Sequence, residues 1–343
     1  MNRSLVIYLT LLLFSLQAYS QSAGENIYEF LNLGSSARVA ALGGDQIALG
    51  NVDADYAFYN PASLHSDLDQ SINLNYVSYL ADINYGYASY TKTYKNIGTF
   101  SLGMHYVNYG RFTKASELGD ITGKFKASDY ALFISYGKQI NENLSVGLTL
   151  KPIYSSLEKY NSFGLATDLA IIYDSSDKLF RASLVARNFG YQVKPYYGSH
   201  REDLPNEILI GMSTKLQHAP FRFAITYRHL EKFNQSYQSD LDKVDDTFSN
   251  QSSEDGFVDK ALKHLILGAE FLPTKNFALR LGYNFQRRDE LAVEEKKSTV
   301  GFTWGFGFKV SRFRINFASA KYHLAGSSNH FSVSTRLSDF NFR

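Results

Sequence analysis

Hydrophobic and polar positions alternate with a period of two along most of the chain from about residue 70 onward. Between Ser298 and Val310, the side chains of Val300, Phe302, Trp304, Phe306, Phe308 and Val310 share one face. Gly301, Thr303, Gly305, Gly307 and Lys309 share the other. This period predicts a half-buried β-strand. Phe277, Leu279, Leu281, Tyr283 and Phe285 alternate in the same way with Ala278, Arg280, Gly282, Asn284 and Gln286. So do Phe221, Phe223, Ile225 and Tyr227 with Arg222, Ala224, Thr226 and Arg228, and Leu144, Val146, Leu148 and Leu150 with Ser145, Gly147, Thr149 and Lys151. Weaker segments fall at 70–80, 84–94, 97–109, 128–140, 160–173, 180–189, 205–216, 263–272, 312–322 and 329–338. The total is about fourteen strands, each close to the roughly 9–11 residues that cross a membrane.

The connections sort by length. Tight turns are predicted at Lys95–Asn96, Asn141–Asn143, Asp174–Lys178, Gln217–Pro220, Pro273–Asn276 and Val310–Arg312. Longer connections are predicted at Gly110–Lys126, Ser155–Lys159, Gly190–Leu204, Glu231–Leu262, Arg287–Lys297 and His323–Ser328. One end of the molecule is trimmed and the other elaborated, which is the habit of an all-β, antiparallel transmembrane β-barrel with short periplasmic turns and longer extracellular loops. A soluble β-sandwich has no reason to sort its loops by side, and its strands are shorter, with a mode of about 5–6 residues. An even strand count puts both ends of the barrel on the periplasmic side.

Composition agrees. The chain has 25 Tyr and 26 Phe but one Trp, three Met and no Cys, and aromatic residues favour strands and barrel girdles. The absence of Cys excludes disulfides, thiolate metal sites and a Cys nucleophile. A net charge of +2 gives no sign of nucleic-acid binding. Residues 1–20 read as a secretion signal: Arg3, then the apolar run Leu5–Leu16, then Ala18-Tyr19-Ser20. The mature chain is expected to begin at Gln21. No Cys follows the apolar run, so a lipoprotein anchor is excluded. The expected division is a signal over 1–20, an N-terminal plug segment over 21–69 and the barrel over 70–343. The last strand, Phe331–Leu337, leads into Phe340-Asn341-Phe342, an aromatic ending of the kind read by barrel-insertion machinery, although Arg343 replaces the usual terminal aromatic.

Inward positions carry the cations Lys151, Arg181, Arg187, Arg222, Arg228, Arg280 and Arg314, with fewer carboxylates, chiefly Asp168, Glu207 and Glu270. These charges either line an anion path or pair with something that fills the lumen. Inward glycines such as Gly301, Gly305 and Gly307 make room for an occupant. The candidate occupant is Gly24–Leu68, with the small-residue stretch Ser35–Gly44, the acidic residues Asp45, Asp53 and Asp55, and Tyr59-Asn60-Pro61-Ala62. Candidate plug–lumen pairing therefore involves Arg38, Asp45, Asp53 and Asp55 with Arg222, Arg228, Arg280 and Arg314.

Signals for enzyme chemistry are sparse, and no catalytic, cofactor-binding or metal-binding residues are expected. There is no G-x-S-x-G elbow and no H-E-x-x-H. Gly119–Lys124 is one residue too short for a phosphate loop. The histidines never take metal-ligand spacing, and His105 and His323 fall on strands, where a wall role is ordinary. His323 with Ser319 is the one Ser–His pair to consider. The stretch Glu231–Leu262 carries Asp240, Asp242, Asp245, Asp246, Glu254, Asp255 and Asp259 without EF-hand spacing. It reads as a solvated loop or a docking surface.

Several stretches resemble a known group. Tyr28-Glu29-Phe30-Leu31, Ser35-Ser36-Ala37-Arg38, Ala41-Leu42-Gly43-Gly44 and Tyr59-Asn60-Pro61-Ala62 resemble the start of the PorV/PorQ group of outer-membrane proteins. Asn75–Gly86, His105–Gly110, Lys151–Glu158 and His218–Arg222 resemble its PorQ-like members in particular. The resemblance spans most of the mature chain. Its Gly-Gly and Asn-Pro-Ala pieces are shared by many long-chain fatty-acid-transporter-like (FadL-like) barrels. It implies a fourteen-stranded barrel with an N-terminal plug, and a part in the type IX secretion system. There such proteins hold a PorZ-like surface protein at the outer membrane, near the PorU sortase and PorV, in the complex that attaches cargo to lipopolysaccharide. The expected function is that of a non-enzymatic docking component whose loops Gly110–Lys126, Gly190–Leu204 and Glu231–Leu262 face the partner. The alternative is a transporter of long-chain fatty acids or other hydrophobic compounds.

Overall fold

The structure is a computed structural model that describes residues 26–51, 53–116, 120–232, 257–291, 299–323 and 326–340. The expected secretion signal, most of the acidic stretch after Glu231 and the tail residues 341–343 lie outside the described residues.

Fourteen strands form one closed antiparallel barrel. In chain order they are β1 (Ser71–Ser78), β2 (Asn84–Tyr94), β3 (Gly98–Ala115), β4 (Ile121–Gln139), β5 (Leu144–Leu157), β6 (Tyr160–Asp174) and β7 (Phe180–Lys194). They continue as β8 (Glu207–Lys215), β9 (Phe221–Tyr227), β10 (Leu265–Thr274), β11 (Phe277–Asn284), β12 (Phe302–Val310), β13 (Phe313–His323) and β14 (Gly326–Arg336). Each strand pairs with its chain neighbours. The ring closes where β1 meets β14, from Ser71 opposite Arg336 to Ser78 opposite Asn329. Closure pairs every strand edge, as a barrel in lipid requires.

The alternation read from the sequence is the inside–outside alternation of the wall. In β12, Thr303 is buried while Phe302 and Trp304 are 58% and 51% exposed. Outward residues are mostly apolar: Leu281 is 65% exposed, Leu169 60% and Leu102 54%. A continuous apolar outer surface on a closed barrel belongs against hydrocarbon. Aromatic rows border it. Tyr106, Tyr130, Tyr154 and Phe163 run across β3 to β6 with successive ring centroids 4.9, 6.2 and 4.9 Å apart. Tyr94, Phe100 and Tyr136 lie nearer the opposite end, at 5.8 and 5.0 Å. Phe100 and Tyr106 are six positions apart on β3, about 20 Å along the strand.

At one end the connections β2–β3, β4–β5, β6–β7, β8–β9, β10–β11 and β12–β13 are all tight turns, at the places expected. In the first, Asn96 takes the left-handed region at φ 68°, which Asn tolerates well.

The other end differs from expectation. Gly110–Lys126 is not a loop but mostly a protruding hairpin, with Arg111 opposite Lys126 and Lys114 opposite Gly123. Ser155–Lys159 is a tight turn, with Leu157 opposite Tyr160. His323–Ser328 is also short, since His323 lies opposite Gly326. The ladder in each case continues beyond the lipid band. On the hairpin both faces of the strands are largely exposed, so the apolar alternation that marks a strand disappears while the backbone pairing does not. Gly190–Leu204 is shortened as well, because β7 runs on to Lys194, with Tyr191 and Val193 exposed and Gln192 buried.

Two connections contain helices: α1 (Phe257–Lys263) before β10 and α2 (Phe285–Leu291) after β11. Phe285 and Gln286, expected on a strand, are therefore helical. Lys263 of α1 meets Asp289 of α2 at 2.8 Å. Val300, expected to face outward, is fully buried. Gly301 turns the chain at φ 93°, so β12 starts only at Phe302.

Candidate functional site in the barrel lumen

The N-terminal segment lies inside the ring and touches walls on opposite sides. It consists of short turns of 3-10 helix and one turn of α-helix, Ala37–Ala40. Its small residues meet glycines on the inward wall. A Cβ added at Gly147 of β5 would sit 2.1 Å from the Ala62 nitrogen, and one at Gly282 of β11 would sit 2.0 Å from the Gly43 nitrogen. Gly305 likewise leaves space for the Ala41 methyl.

Hydrogen bonds tie the segment to the wall. The Ala37 N–H donates to Ser332 Oγ at 2.8 Å, and the Gly43 N–H donates to Thr303 Oγ1 at 2.9 Å. Asn60 uses its whole side chain. Its Oδ1 accepts from the Ala62 N–H at 3.0 Å, and its Nδ2 donates to the Ile47 carbonyl at 2.7 Å and to Ser183 Oγ at 2.8 Å. This explains the Asn-Pro-Ala stretch: Asn caps the short helical turn, Pro opens it, and Ala lies against a glycine.

Among the described residues, the charges of the lumen include three buried groups. In the first, Glu270 of β10 receives three guanidiniums. Arg38 binds it through two prongs, Nε to Oε1 and Nη2 to Oε2, both at 2.9 Å. Arg280 Nε donates to Oε1 at 2.9 Å, and Arg222 Nη1 donates to Oε2 at 2.7 Å. Arg38 also donates to the carbonyls of Asn51 and Gly50 at 2.6 and 2.9 Å. Nearby, Asp53 accepts from Arg314 Nη1 at 2.8 Å.

The second group is balanced. Asp45 and Glu207 face Arg187 and Arg228. Arg187 lies 2.8 Å from Asp45 and 2.6 Å from Glu207, while Arg228 lies 3.1 Å from Asp45 and 2.6 Å from Glu207. Burial alone would raise the Asp45 carboxyl, but Arg187 and then Arg228 outweigh it and hold it below its ordinary value. The third pair is Lys151 with Asp168 at 2.6 Å, both buried.

Among the described residues, Asp55 forms no ion pair with an arginine. It accepts from Asn75 Nδ2 at 3.2 Å. Burial, and then the neighbouring Asp53 charge, push its carboxyl up to about 6.

Aromatic rings occupy another part of the lumen. Phe58 stacks on Phe133 at 4.9 Å and meets His105 at 5.2 Å, while Phe30 stacks on His105 at 5.8 Å. His105 is therefore an inward, fully buried side chain of the wall. Sequence reasoning did not anticipate this cluster. Its only signal is a row of inward aromatics on β2 to β4, which looks the same as a lipid-facing row until the register is known. The period turns Arg187 inward without marking it as a partner of the N-terminal segment. The period likewise turns Glu270 inward without marking its central place among three arginines.

Other candidates stand apart from this constellation. Of the stretch Gly119–Lys124, Ile121–Lys124 begin β4 on the protruding hairpin, and Gly119 lies outside the described residues. Ser319 lies on β13 opposite Trp304, and the side chain of His323 lies outside the described residues. Among the described residues, no group of three or more His, Asp or Glu side chains is placed to hold a metal ion.

No protein-family model and no curated protein matches the chain. Solved structures do match it in shape. The crystal structure of the Ralstonia pickettii toluene transporter TbuX is similar with a TM-score of 0.53 at 11% identity, over 90% of this chain and 100% of that chain. The CymD monoaromatic hydrocarbon channel gives 0.52 at 14% identity, over 88% and 96%. The deltaS2 mutant of the TodX monoaromatic hydrocarbon channel gives 0.53 at 13% identity, over 90% and 98%. At these identities the likeness is one of fold.

Proposed function

We propose that the chain is a non-enzymatic outer-membrane barrel whose N-terminal segment plugs the lumen and whose outer end docks a surface protein of the type IX secretion system. One observation carries the plug: buried ion pairs and glycine contacts hold the segment to opposite walls. A route filled by salt bridges is costly to open, because removing one partner strands a buried charge. The docking half of the proposal rests on the sequence resemblance to the PorV/PorQ group. The partner in that reading is PorZ-like, with the PorU sortase, PorV and lipopolysaccharide close by. The protruding β3–β4 hairpin suits such a role. Its Phe112 and Phe125 rings stack 5.1 Å apart, and Phe112 is 41% exposed.

The comparisons speak more directly for a second reading, passage of hydrophobic compounds. TbuX is a transporter of toluene and CymD a channel for monoaromatic hydrocarbons, and this chain shares their fold. In that case the N-terminal segment is a gate that moves.

Two measurements separate the readings. Replacing residues 111–126 with a two-residue turn releases the PorZ-like protein from detergent-solubilised membranes under the docking reading, while the barrel stays heat-modifiable on a gel. Uptake of toluene or oleate by cells lacking the chain is unchanged under the docking reading and reduced under the transport reading. Retention of the surface protein together with lost uptake overturns docking.

A further inference from the structure

The two large charge groups of the lumen differ in balance. The Asp45–Glu207 group sets two carboxylates against two arginines. The Glu270 group sets one carboxylate against three arginines, all of them buried. Asp53, the nearest further carboxylate, is engaged by Arg314. A buried surplus of guanidinium charge is expensive unless an anion meets it.

Space for an anion adjoins the surplus. A cavity of about 510 Å³ is lined by Arg38, Arg222, Arg280 and Glu270 at its inner side. That volume is in the range of small-molecule sites. Lys215, Lys275 and Lys309 line the cavity as well, at the end of the barrel that carries the tight turns. None of these three lysines makes an ion pair among the described residues. The backbone is pared away around the guanidiniums. A Cβ at Gly307 would lie 2.7 Å from Arg280 Nη1, and one at Gly50 would lie 3.5 Å from Arg222 Nη2.

We propose that this cavity is a binding site for a soluble, multiply charged phosphate. Arginine forks match the oxygens of phosphate, and lysines add point charges at the rim. The arginines face the lumen, so the ligand enters through the barrel end and not from lipid. The site is independent of whether the outer end docks a protein or the lumen conducts.

The test uses the full chain purified in detergent at low ionic strength, with inorganic pyrophosphate as the probe. Calorimetric titration is expected to give saturable binding of one pyrophosphate per chain, and thermal unfolding is expected to shift upward with the same concentration dependence. The combined variant Lys215→Ala, Lys275→Ala and Lys309→Ala is expected to bind about tenfold more weakly. Its unfolding without ligand should match the parent, because these lysines hold no ion pair. An equal shift from sodium chloride at matched ionic strength overturns the proposal, as does unchanged affinity in the triple variant. Binding of a polyglutamate peptide without binding of pyrophosphate also overturns it, and makes the mouth a peptide-docking surface.

Discussion

Arg38 grips Glu270 with two hydrogen bonds of 2.9 Å although the residues stand 232 positions apart. The pair joins the N-terminal segment to β10. Glu270→Gln leaves three buried guanidiniums facing a neutral amide, and loss of a buried partner costs about 3–5 kcal/mol. Arg38→Met leaves Glu270 with two arginines and is expected to cost less. Urea unfolding of the detergent-solubilised variants, followed by gel heat-modifiability, reads the order. Equal stability of Glu270→Gln and the parent contradicts the central place given to Glu270.

Gly147→Val tests the seating of the segment by a different route. The new side chain starts 2.1 Å from the Ala62 nitrogen, where neither backbone has a flexible end to give way. The segment is expected to lift from β5, with proteolysis near Asn60 accelerated and conductance in planar bilayers raised. Thr113→Val, at an exposed strand position on the β3–β4 hairpin, serves as the control. An unaltered cleavage rate in Gly147→Val means that the segment does not press on this wall.

Asp55 supplies a pH dependence. Its carboxyl titrates at about 6 in the folded chain against an ordinary 3.8, so folding favours the protonated form. The stability it contributes is complete below about pH 4 and is lost as the pH rises through 6. A shift of about two units corresponds to about 3 kcal/mol. Asp45 moves oppositely, because its arginines lower it, and its contribution is lost only on acidification below the ordinary carboxylate range. Unfolding midpoints between pH 4 and 6.5 are expected to fall in the parent and to stay flatter in Asp55→Asn. A parallel decline in both chains removes Asp55 as the cause.

Leu281 faces outward between Ala269 and Trp304 and is 65% exposed. Leu281→Arg places a charge on the lipid face, at a cost of about 2–4 kcal/mol near the bilayer midplane. In liposomes the variant is expected to fold with lower stability, whereas Lys275→Arg in the adjoining turn is neutral. A neutral Leu281→Arg places that position outside the hydrocarbon.

The wall was legible in the sequence wherever lipid lies on one side and polar lumen on the other, as in Phe302–Val310 and Phe277–Asn284. It became illegible where that contrast ends. Arg111–Ala115 and Ile121–Lys126 are strands whose two faces are both solvated, so neither periodicity nor composition marks them. Helix α2 was hidden for a different reason: Tyr283, Phe285 and Asn284, Gln286 continue the strand alternation past the true end of β11. The lumen charges could be sorted inward by period alone. Which cation meets which carboxylate depends on strand register and on the path of the N-terminal segment, and neither has a local sequence signal. Arg187, on the same face as Arg181, faces Asp45 and Glu207 only because β7 and β8 pair with Arg187 opposite Glu207.

The closure of β1 on β14 bears on how the molecule comes to exist. The enclosed segment directly precedes β1, and its contacts reach β5, β7, β10, β12 and β14. A ring sealed first would have to be threaded afterwards by a chain carrying Arg38, Asp45 and Asp53 into a space already holding their partners. A sheet that curls around the segment avoids this, with the segment acting as a mandrel. On that route the seam between Ser71 and Arg336 is the last stitch of assembly, and barrel diameter is gauged from within before the wall is sealed.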